Sequence, residues 1–572
     1  MRRGERSAIA AAKDFPMSQS AYGLLFFLGL SLALCVAAFQ PAPGYMDADY
    51  YYATGRQLAL GKGFAEPFLW NYLDDPAGLP HPSHLYWMPF AGILAAAGIW
   101  LSQALAGGTI SSAALPSGTV DFIAARAGFL VLAACLPPVT AALATSFGGN
   151  RQQSWMAGLL ALFPGFYLPF LTTTDTFGIY MLLGVLFLQA CRHVLSQSAA
   201  GAHQAVRLLS SSALLGALAG LMHLARADGV IWILVGLAAV WIATGRLSEL
   251  KGSVAQNVFV HRLCSVAALL LGYLLVVSPW IARNLQMGGS FAAPGAARAL
   301  WITRYDELFT YPAAQLTLDR WWSSGLQELI GARLWALGQN LQTAVAVQGE
   351  VFLAPLILAG LWRMRRDTRV QLGGLAWVLT FLAMTLVFPF QGGRGGWFHS
   401  GAALQPVFWA LAPVGLQAVV EWGEERRGWV SRQAGAAVSG GLVGLAVLVT
   451  FMTASPRLNG AGEAGSSWGK AEASYVRMEK SLREAGAPAE ASVLVNNPPG
   501  YFGATGRPAL VIPDGDETAI LAVARRYQGA YLLLEANHPG ALEDLYRSPG
   551  DRPGLEYLLT VDSAHIFYIG SD

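Results

Sequence analysis

The sequence predicts an α-helical polytopic membrane protein carrying a small C-terminal α/β domain. Three observations lead there. The 572 residues are 54% hydrophobic and only 13% charged, where a soluble chain carries about 25% charged residues. Twelve apolar runs approach the roughly 20 residues that cross a bilayer. From about residue 454 these runs stop, and short apolar stretches alternate with polar, helix-like ones.

The net charge of +2, with no basic cluster, points away from nucleic acid as a partner. Cys35, Cys135, Cys191 and Cys264 all lie in apolar stretches. They read as small core residues, not as a disulfide framework or a metal site.

The basic start, Met1-Arg2-Arg3-Gly4-Glu5-Arg6, precedes an apolar run at 21–40. A cleaved signal peptide has an apolar core of roughly 7–15 residues. This run is longer and reads as an uncleaved first span. Further runs lie near 85–105, 122–146, 154–171, 176–194, 208–224, 229–245, 262–281, 349–362, 371–389, 399–419 and 433–453. Basic loops fall at 147–153, 192–207, 246–262 (with Lys251), 363–369 and 424–432. The positive-inside rule puts all five in the cytoplasm with the N-terminus. That works only if 85–105 does not cross. Its opening, His84-Leu85-Tyr86-Trp87-Met88-Pro89, has the proline and interfacial aromatics of a segment lying in the interface. About eleven transmembrane helices follow, with the N-terminus inside and the C-terminus outside, in a bacterial inner membrane. The membrane domain is then 1–453, with outer loops 41–121 and 283–348, and the non-cytoplasmic domain is 454–572.

This topology gathers on the outer face the two loops, the turns at 172–175, 226–228 and 392–399, and everything after 454. The stretch 316–337 is amphipathic and Trp-rich, suited to the membrane surface. Beyond a Gly/Ser linker at 459–467, strands at 492–496, 509–513, 530–535 and 564–569 alternate with helices at 516–527 and 540–546. Asn496-Asn497-Pro498-Pro499-Gly500 reads as a strand-ending turn. The C-terminal domain carries no catalytic signature.

The chemistry concentrates after the first span, in Gly44-Tyr45-Met46-Asp47-Ala48-Asp49-Tyr50-Tyr51-Tyr52. Two carboxylates at a membrane face are costly to desolvate. They read as a general base or as metal ligands, the plainer role being to solvate the end of the span. Asp175, in Leu171-Thr172-Thr173-Thr174-Asp175-Thr176, suits a cap for the next helix and also lies on the outer face. Asp47, Asp49 and Asp175 together could hold a divalent cation, Mg or Mn, through oxygens. The loop 64–89 sets Glu66, His81 and His84 among Trp70, Tyr72 and Tyr86. That mixture suits a sugar or a lipid headgroup, the plainer account being an aromatic belt. The outer cations are Arg226, Arg283, Arg304, Arg394 and His399, groups that pair with phosphate oxygens. Asp228 is a ready structural partner for Arg226, and Arg283 suits a helix-end anchor. Arg394 and His399 sit beside four glycines that let a ligand approach the backbone.

With these stretches in order, the chain resembles the polytopic C-type (GT-C) glycosyltransferases, a group that includes protein O-mannosyltransferases and aminoarabinose transferases for lipid A. Five local matches over roughly residues 20–300 carry the resemblance: Asp47-Ala48-Asp49-Tyr50-Tyr51; His81-Pro82-Ser83-His84-Leu85-Tyr86-Trp87-Met88-Pro89; the segment 121–126; the Leu-Ala-Arg-x-Asp-Gly turn within 221–229; and Pro279-Trp280-Ile281-Ala282-Arg283-Asn284. The resemblance implies a GT-C-like fold and a sugar moved from a polyprenyl-phosphate donor to an acceptor hydroxyl (on a lipid, glycan or protein), with inversion. It implies that Asp47 or Asp49, with Asp175, supplies the base or the metal site. The rival readings are a lipid or polysaccharide flippase and an oligosaccharide ligase or polymerase. Acids clustered at one face, and no internal repeat, speak against a transporter.

Overall fold

A computed structural model of the chain describes residues 17–105, 118–196, 202–247, 258–288, 291, 293–459 and 468–570. The basic start at 1–6, Lys251 and most of the linker at 459–467 lie outside the described residues. Nine described helices are long and apolar enough to cross a membrane: Gln19–Ala37, Asp121–Ser146, Phe177–Ser196, Ala205–Ala225, Ala227–Arg246, Val258–Met287, Thr368–Val387, Pro389–Arg427 and Gly435–Asn459. The pair Arg151–Leu162 and Gly165–Thr172, bent by 61°, makes a tenth if the two count as one broken span. The bend has a local cause. Pro164 forces Phe163 out of the helical region, at φ −112° and ψ 75°.

The eleventh expected span, at 349–362, is short. Glu350 and Val351 adopt left-handed φ angles of 44° and 56°, so helix resumes only at Ala354 and ends at Arg363 after ten residues. The segment expected to lie in the interface forms a 16-residue helix, Phe90–Leu105. At 1.5 Å per residue it spans about 24 Å, less than a bilayer's apolar core of about 30 Å.

The most enclosed spans are Pro389–Arg427 and Phe177–Ser196, with 78% and 72% of their apolar windows buried, against 17% for Gly435–Asn459. Asp175 lies two residues before Phe177–Ser196, and His399 lies ten residues into Pro389–Arg427, just past the turn Gly392–Gly396. The site is thereby placed at one end of the bundle, on its most constrained elements.

The segment after the first span is a helix, Met46–Ala59, where the sequence suggested a loop. Arg126 fastens the end of the first span, just ahead of this helix, by donating to the Ala37 and Gln40 carbonyls at 2.9 and 2.8 Å. Three short strands follow: β1 (Ala65–Glu66), β2 (Phe68–Leu69) and β3 (His81–Pro82). The C-terminal region supplies β4 (Ser492–Val495), β5 (Ala509–Val511), β6 (Gly529–Leu534), β7 (Leu555–Val561) and β8 (Ala564–Ile569). Their sheet runs β2-β5-β4-β6-β8-β7. Strands β2, β5, β4 and β6 are parallel, while β8 and β7 close the far side antiparallel. One edge of the C-terminal sheet therefore comes from the first loop of the membrane region. Tyr72 reinforces the join by donating to the Val511 carbonyl at 2.5 Å, as Tyr527 does to that of Pro76 at 3.0 Å. Strand β7 and the helices Lys470–Glu484 and Pro498–Thr505 were not apparent from sequence patterning.

Candidate active site

Asp47 and Asp49 lie in the first turn of the helix Met46–Ala59, where the helix dipole favours carboxylates. Residues two apart on a helix point about 200° away from each other. The two acids consequently serve different surroundings. Asp47 faces Asp175 and His399, and the ligating atoms of these three lie within 4.8 Å of one another. Asp49 turns the other way and accepts a hydrogen bond of 2.8 Å from the Asn497 amide. The expected cluster of Asp47, Asp49 and Asp175 is thus corrected: His399 takes the place of Asp49.

The turn bearing Asp175 is fastened by its threonines. Thr172 donates to Gln40 Oε1 at 2.6 Å, Thr173 to the Pro43 carbonyl at 3.0 Å and Thr174 to the Ala48 carbonyl at 2.8 Å. These bonds bind the 172–175 turn to the start of the Asp47 helix. Asp175 accepts from the Thr176 N–H and, through Oδ2, from the Tyr45 hydroxyl, both at 2.5 Å. It stands two residues before the helix Phe177–Ser196, bonded to the adjacent Thr176, and belongs to the cluster.

His399 follows the turn Gly392–Gly396, in which Gly395 has φ +121°. Only glycine takes that angle without strain. The turn delivers the Gly395 carbonyl to His399 Nδ1 at 3.0 Å. A carbonyl only accepts, so Nδ1 carries a proton. Nε2 then faces Asp175 Oδ2 at 3.1 Å and Asp47 Oδ2 at 3.6 Å. The arrangement suits an imidazolium between two carboxylates. It equally suits a neutral imidazole whose Nε2 joins the carboxylates on a cation, since metal-binding histidines characteristically donate their other N–H to a carbonyl or carboxylate. Phe177 stacks on the ring at 4.1 Å and fixes its plane.

Exposure separates the three members. The Asp47 side chain is 32% exposed, His399 12% and Asp175 0%. Burial pushes the Asp47 carboxyl up to about 6, with His399 opposing the rise and Asp175 adding to it. Burial also acts to raise Asp175, but the charge and hydrogen bond of His399, with Tyr45 and the Thr176 N–H, hold it below the usual carboxylate range.

Of the five expected phosphate ligands, three gather here. Arg226 donates to Asp228 Oδ1 at 3.0 Å and to the Ser400 hydroxyl at 3.2 Å, and its charge acts on Asp47. It makes the structural pair with Asp228 and also stands near the cluster. Arg394 is exposed, with its guanidinium over the Tyr305 ring at 5.0 Å, and Tyr305 in turn feels the charge of Asp47. His399 is the third. The other two are engaged elsewhere. Arg283 donates to the Phe64 and Ser83 carbonyls and stacks on Trp280, so it anchors the first loop. Arg304 pairs with Asp514 at 2.6 Å and joins the C-terminal domain to the membrane region.

The expected substrate loop is also reassigned. His81 is buried between Asp74 Oδ2 at 2.6 Å and Glu66 Oε1 at 3.4 Å. Burial opposes its charge, yet the two acids lift it to about 9. Burial holds His84 down at about 3, aided by Arg283. Its backbone N–H donates to the Tyr50 hydroxyl at 2.6 Å. Glu66, His81 and His84 therefore hold the loop together from within. Buried charge needs partners, and here the partners come from the loop itself.

Tyr45, the threonines at 172–174, Tyr305 and Asn497 were missed in the sequence. A triple threonine before a helix-starting acid was a legible signal, as was an asparagine before Pro-Pro, the pattern of an N-cap with proline at the first helical position.

No protein-family model and no curated protein matches the sequence. Solved structures do. The archaeal oligosaccharyltransferase AglB from Archaeoglobus fulgidus, in complex with an inhibitory peptide and a dolichol-phosphate, superposes with a TM-score of 0.53 at 14% identity, over 96% of this chain and 74% of that one. ArnT from Cupriavidus metallidurans superposes in its apo state with a TM-score of 0.51 at 11% identity, over 95% and 97% of the two chains. The same ArnT bound to undecaprenyl phosphate gives a TM-score of 0.50 at 12% identity. With nine or ten long apolar helices among the described residues and an appended C-terminal sheet, the chain shares the fold of these proteins.

Proposed function

We propose that this protein is a glycosyltransferase of the bacterial inner membrane, working on the non-cytoplasmic face. It moves a sugar from a polyprenyl-phosphate donor to an acceptor hydroxyl. The observation that carries the reading is the convergence of Asp47, Asp175 and His399 beside Arg226 and Arg394 at one end of the bundle. The bound lipids of the structural neighbours support the donor class.

Asp47, the most exposed of the three, takes the proton of the acceptor hydroxyl. The freed oxygen attacks C1 of the donor sugar from the face opposite the phosphate. The C1–O bond to the polyprenyl phosphate breaks and the configuration inverts. Arg394 and Arg226 stabilise the negative charge that develops on the leaving phosphate. Asp175 and His399 keep Asp47 in place. Two carboxylates and an imidazole whose Nδ1–H is held by a carbonyl fit a divalent cation. When bound, such a cation would add Lewis-acid neutralisation of the phosphate.

The test is transfer of a radiolabelled sugar from a synthetic polyprenyl-phosphate donor by the purified protein, with the anomeric configuration of the product read by NMR. Product of the opposite anomeric form is expected. Flipping of the lipid with no transfer would instead make this a transporter.

A further inference from the structure

The turn Gly392–Gly396, which carries Arg394 and orients His399, leans on the segment 293–348. Gln391 donates to the Ala299 carbonyl at 3.3 Å, and Arg394 stacks on Tyr305. Between them, Gly393 lies against the six-membered ring of Trp335. A Cβ at Gly393 would stand 2.6 Å from Trp335 Cζ3 and 2.7 Å from Cη2. Only a residue without a side chain lets the ring sit there.

The ring is placed by its own helix, Leu326–Thr343, whose buried residues are Leu329, Ala336 and Asn340. Asn340 donates from Nδ2 to the Met384 carbonyl at 3.2 Å and to the Thr385 hydroxyl at 3.0 Å. Arg333 donates to the Leu386 carbonyl at 3.2 Å. These bonds fasten the helix to the end of the span Thr368–Val387, where Ala383–Val387 is a π-helical stretch that offers its carbonyls to side chains. Phe388 then breaks the helix at φ −120° and ψ 61°, and the turn follows. The Met384 carbonyl that Asn340 holds also packs on that turn, since a Cβ at Gly392 would stand 1.9 Å from it.

Trp335 is 38% exposed, so filling the core does not account for its place. Its ring contacts are with the turn and the residues leading into it: the Gly393 backbone, and the Phe390 ring at 6.0 Å. From Gly393 the chain enters Arg394, and Gly395 then gives its carbonyl to His399 Nδ1 at 3.0 Å. A shift at Gly393 moves both side chains together. A misplacement of about 1 Å in a reacting constellation costs about 10²-fold in rate.

Resting on the glycosyl-transfer reading, we propose that Trp335 is a positioning residue for the reaction: seated on Gly393, it fixes the turn that presents Arg394 and aims His399 at Asp47 and Asp175. It touches neither reacting group. It acts as a stop behind the turn, and the bonds of Asn340 and Arg333 hold that stop in register with the span.

The experiment is carbethoxylation of the full-length protein in detergent by diethyl pyrocarbonate, mapped residue by residue by mass spectrometry, with sugar transfer measured on the same preparations. The reagent needs an imidazole nitrogen free to attack. In the wild type both His399 nitrogens are engaged, so its reaction is slow. His538, whose two nitrogens are engaged by Glu535 and Glu543 within the C-terminal domain, is the internal control for fold. In Trp335→Ala, His399 is expected to react about tenfold faster, the size of effect that packing relays to a site, with His538 unchanged and kcat reduced. Trp335→Phe, which keeps a ring over Gly393, is expected to restore both readings. Leu334→Ala, at the exposed neighbouring position, is expected to match the wild type. Gly393→Ala forces a Cβ against the ring and is expected to free His399 in the wild type while adding nothing in Trp335→Ala, since contacting residues couple. A wild-type rate at His399 in Trp335→Ala, an equal rise at His538, an equal effect of Leu334→Ala, or additive effects of the Gly393 and Trp335 substitutions overturns the proposal. Failure of the transfer reading looks different: His399 responds to Trp335 as expected in a protein that moves no sugar from a polyprenyl phosphate.

Discussion

At the residue scale, the chemistry rests on one carboxylate with a raised pKa. Burial lifts Asp47 to about 6, and a base must be ionised to accept a proton. As pH falls through about 6, Asp47 becomes protonated and kcat/KM is expected to drop about tenfold per unit; above that value the profile is flat on this limb. A pH–rate profile checks this, and a limb that persists in Asp47→Asn would assign the titration to another group. His399 offers a separate readout. Its Nε2 lies within ligating distance of both acids. Replacing His399 by Ala is expected to weaken Mn²⁺ binding, read by EPR, by about tenfold or more. The acids themselves were legible in the sequence, because charge beside a membrane-length apolar run is costly. Their separation was not. It depends on whether residues 46–59 form a helix or a loop, and the three consecutive tyrosines Tyr50, Tyr51 and Tyr52 weaken a helical reading by propensity. The rings instead pack in an aromatic cluster with Phe68, Trp70, Trp87 and Phe122, and that packing overrides propensity.

At the element scale, the turns bearing Asp175 and His399 converge on the Asp47 helix, the first fastened by threonine side chains and the second shaped by a glycine backbone. The turn Gly392–Gly396 depends on Gly395 at φ +121°. A side chain there costs about 1–3 kcal/mol and displaces the carbonyl that orients His399. Gly395→Ala is expected to lower Mn²⁺ affinity about 10–100-fold with a fall of only a few degrees in the thermal midpoint, both measured on the same preparation. Apolar runs and basic loops made most of the spans readable. The exceptions have physical reasons. Pro164 bends one span, and the left-handed pair Glu350 and Val351 shortens another. The arginines were harder to sort, because a guanidinium in a phosphate site and one bonded to loop carbonyls look alike in sequence. Only the fold separates Arg394 over Tyr305 from Arg283 on the Phe64 and Ser83 carbonyls.

At the scale of the whole molecule, the C-terminal domain is joined to the first loop of the membrane region. Strand β2 of the first loop completes its sheet, and Arg304 pairs with its Asp514. A two-residue strand carries no sequence signature, so this join could not be read in advance. The domain is stabilised by an enclosed ion pair. Arg507, 0% exposed, donates to both oxygens of Glu479 at 2.7 and 3.0 Å, and the Tyr501 hydroxyl completes the group. Breaking a buried pair by removing one partner costs about 3–5 kcal/mol. Glu479→Ala is expected to unfold or loosen the domain, seen as faster hydrogen exchange in β4 and β5 than in the spans. The most direct test of the account compares single-turnover sugar transfer by the wild type, Asp47→Asn and Asp49→Asn at saturating polyprenyl-phosphate donor. The account expects Asp47→Asn to lose about 10²–10⁴-fold in rate, and Asp49→Asn to keep a rate near wild type. Transfer that survives in Asp47→Asn, or a rate loss carried by Asp49→Asn alone, would contradict it.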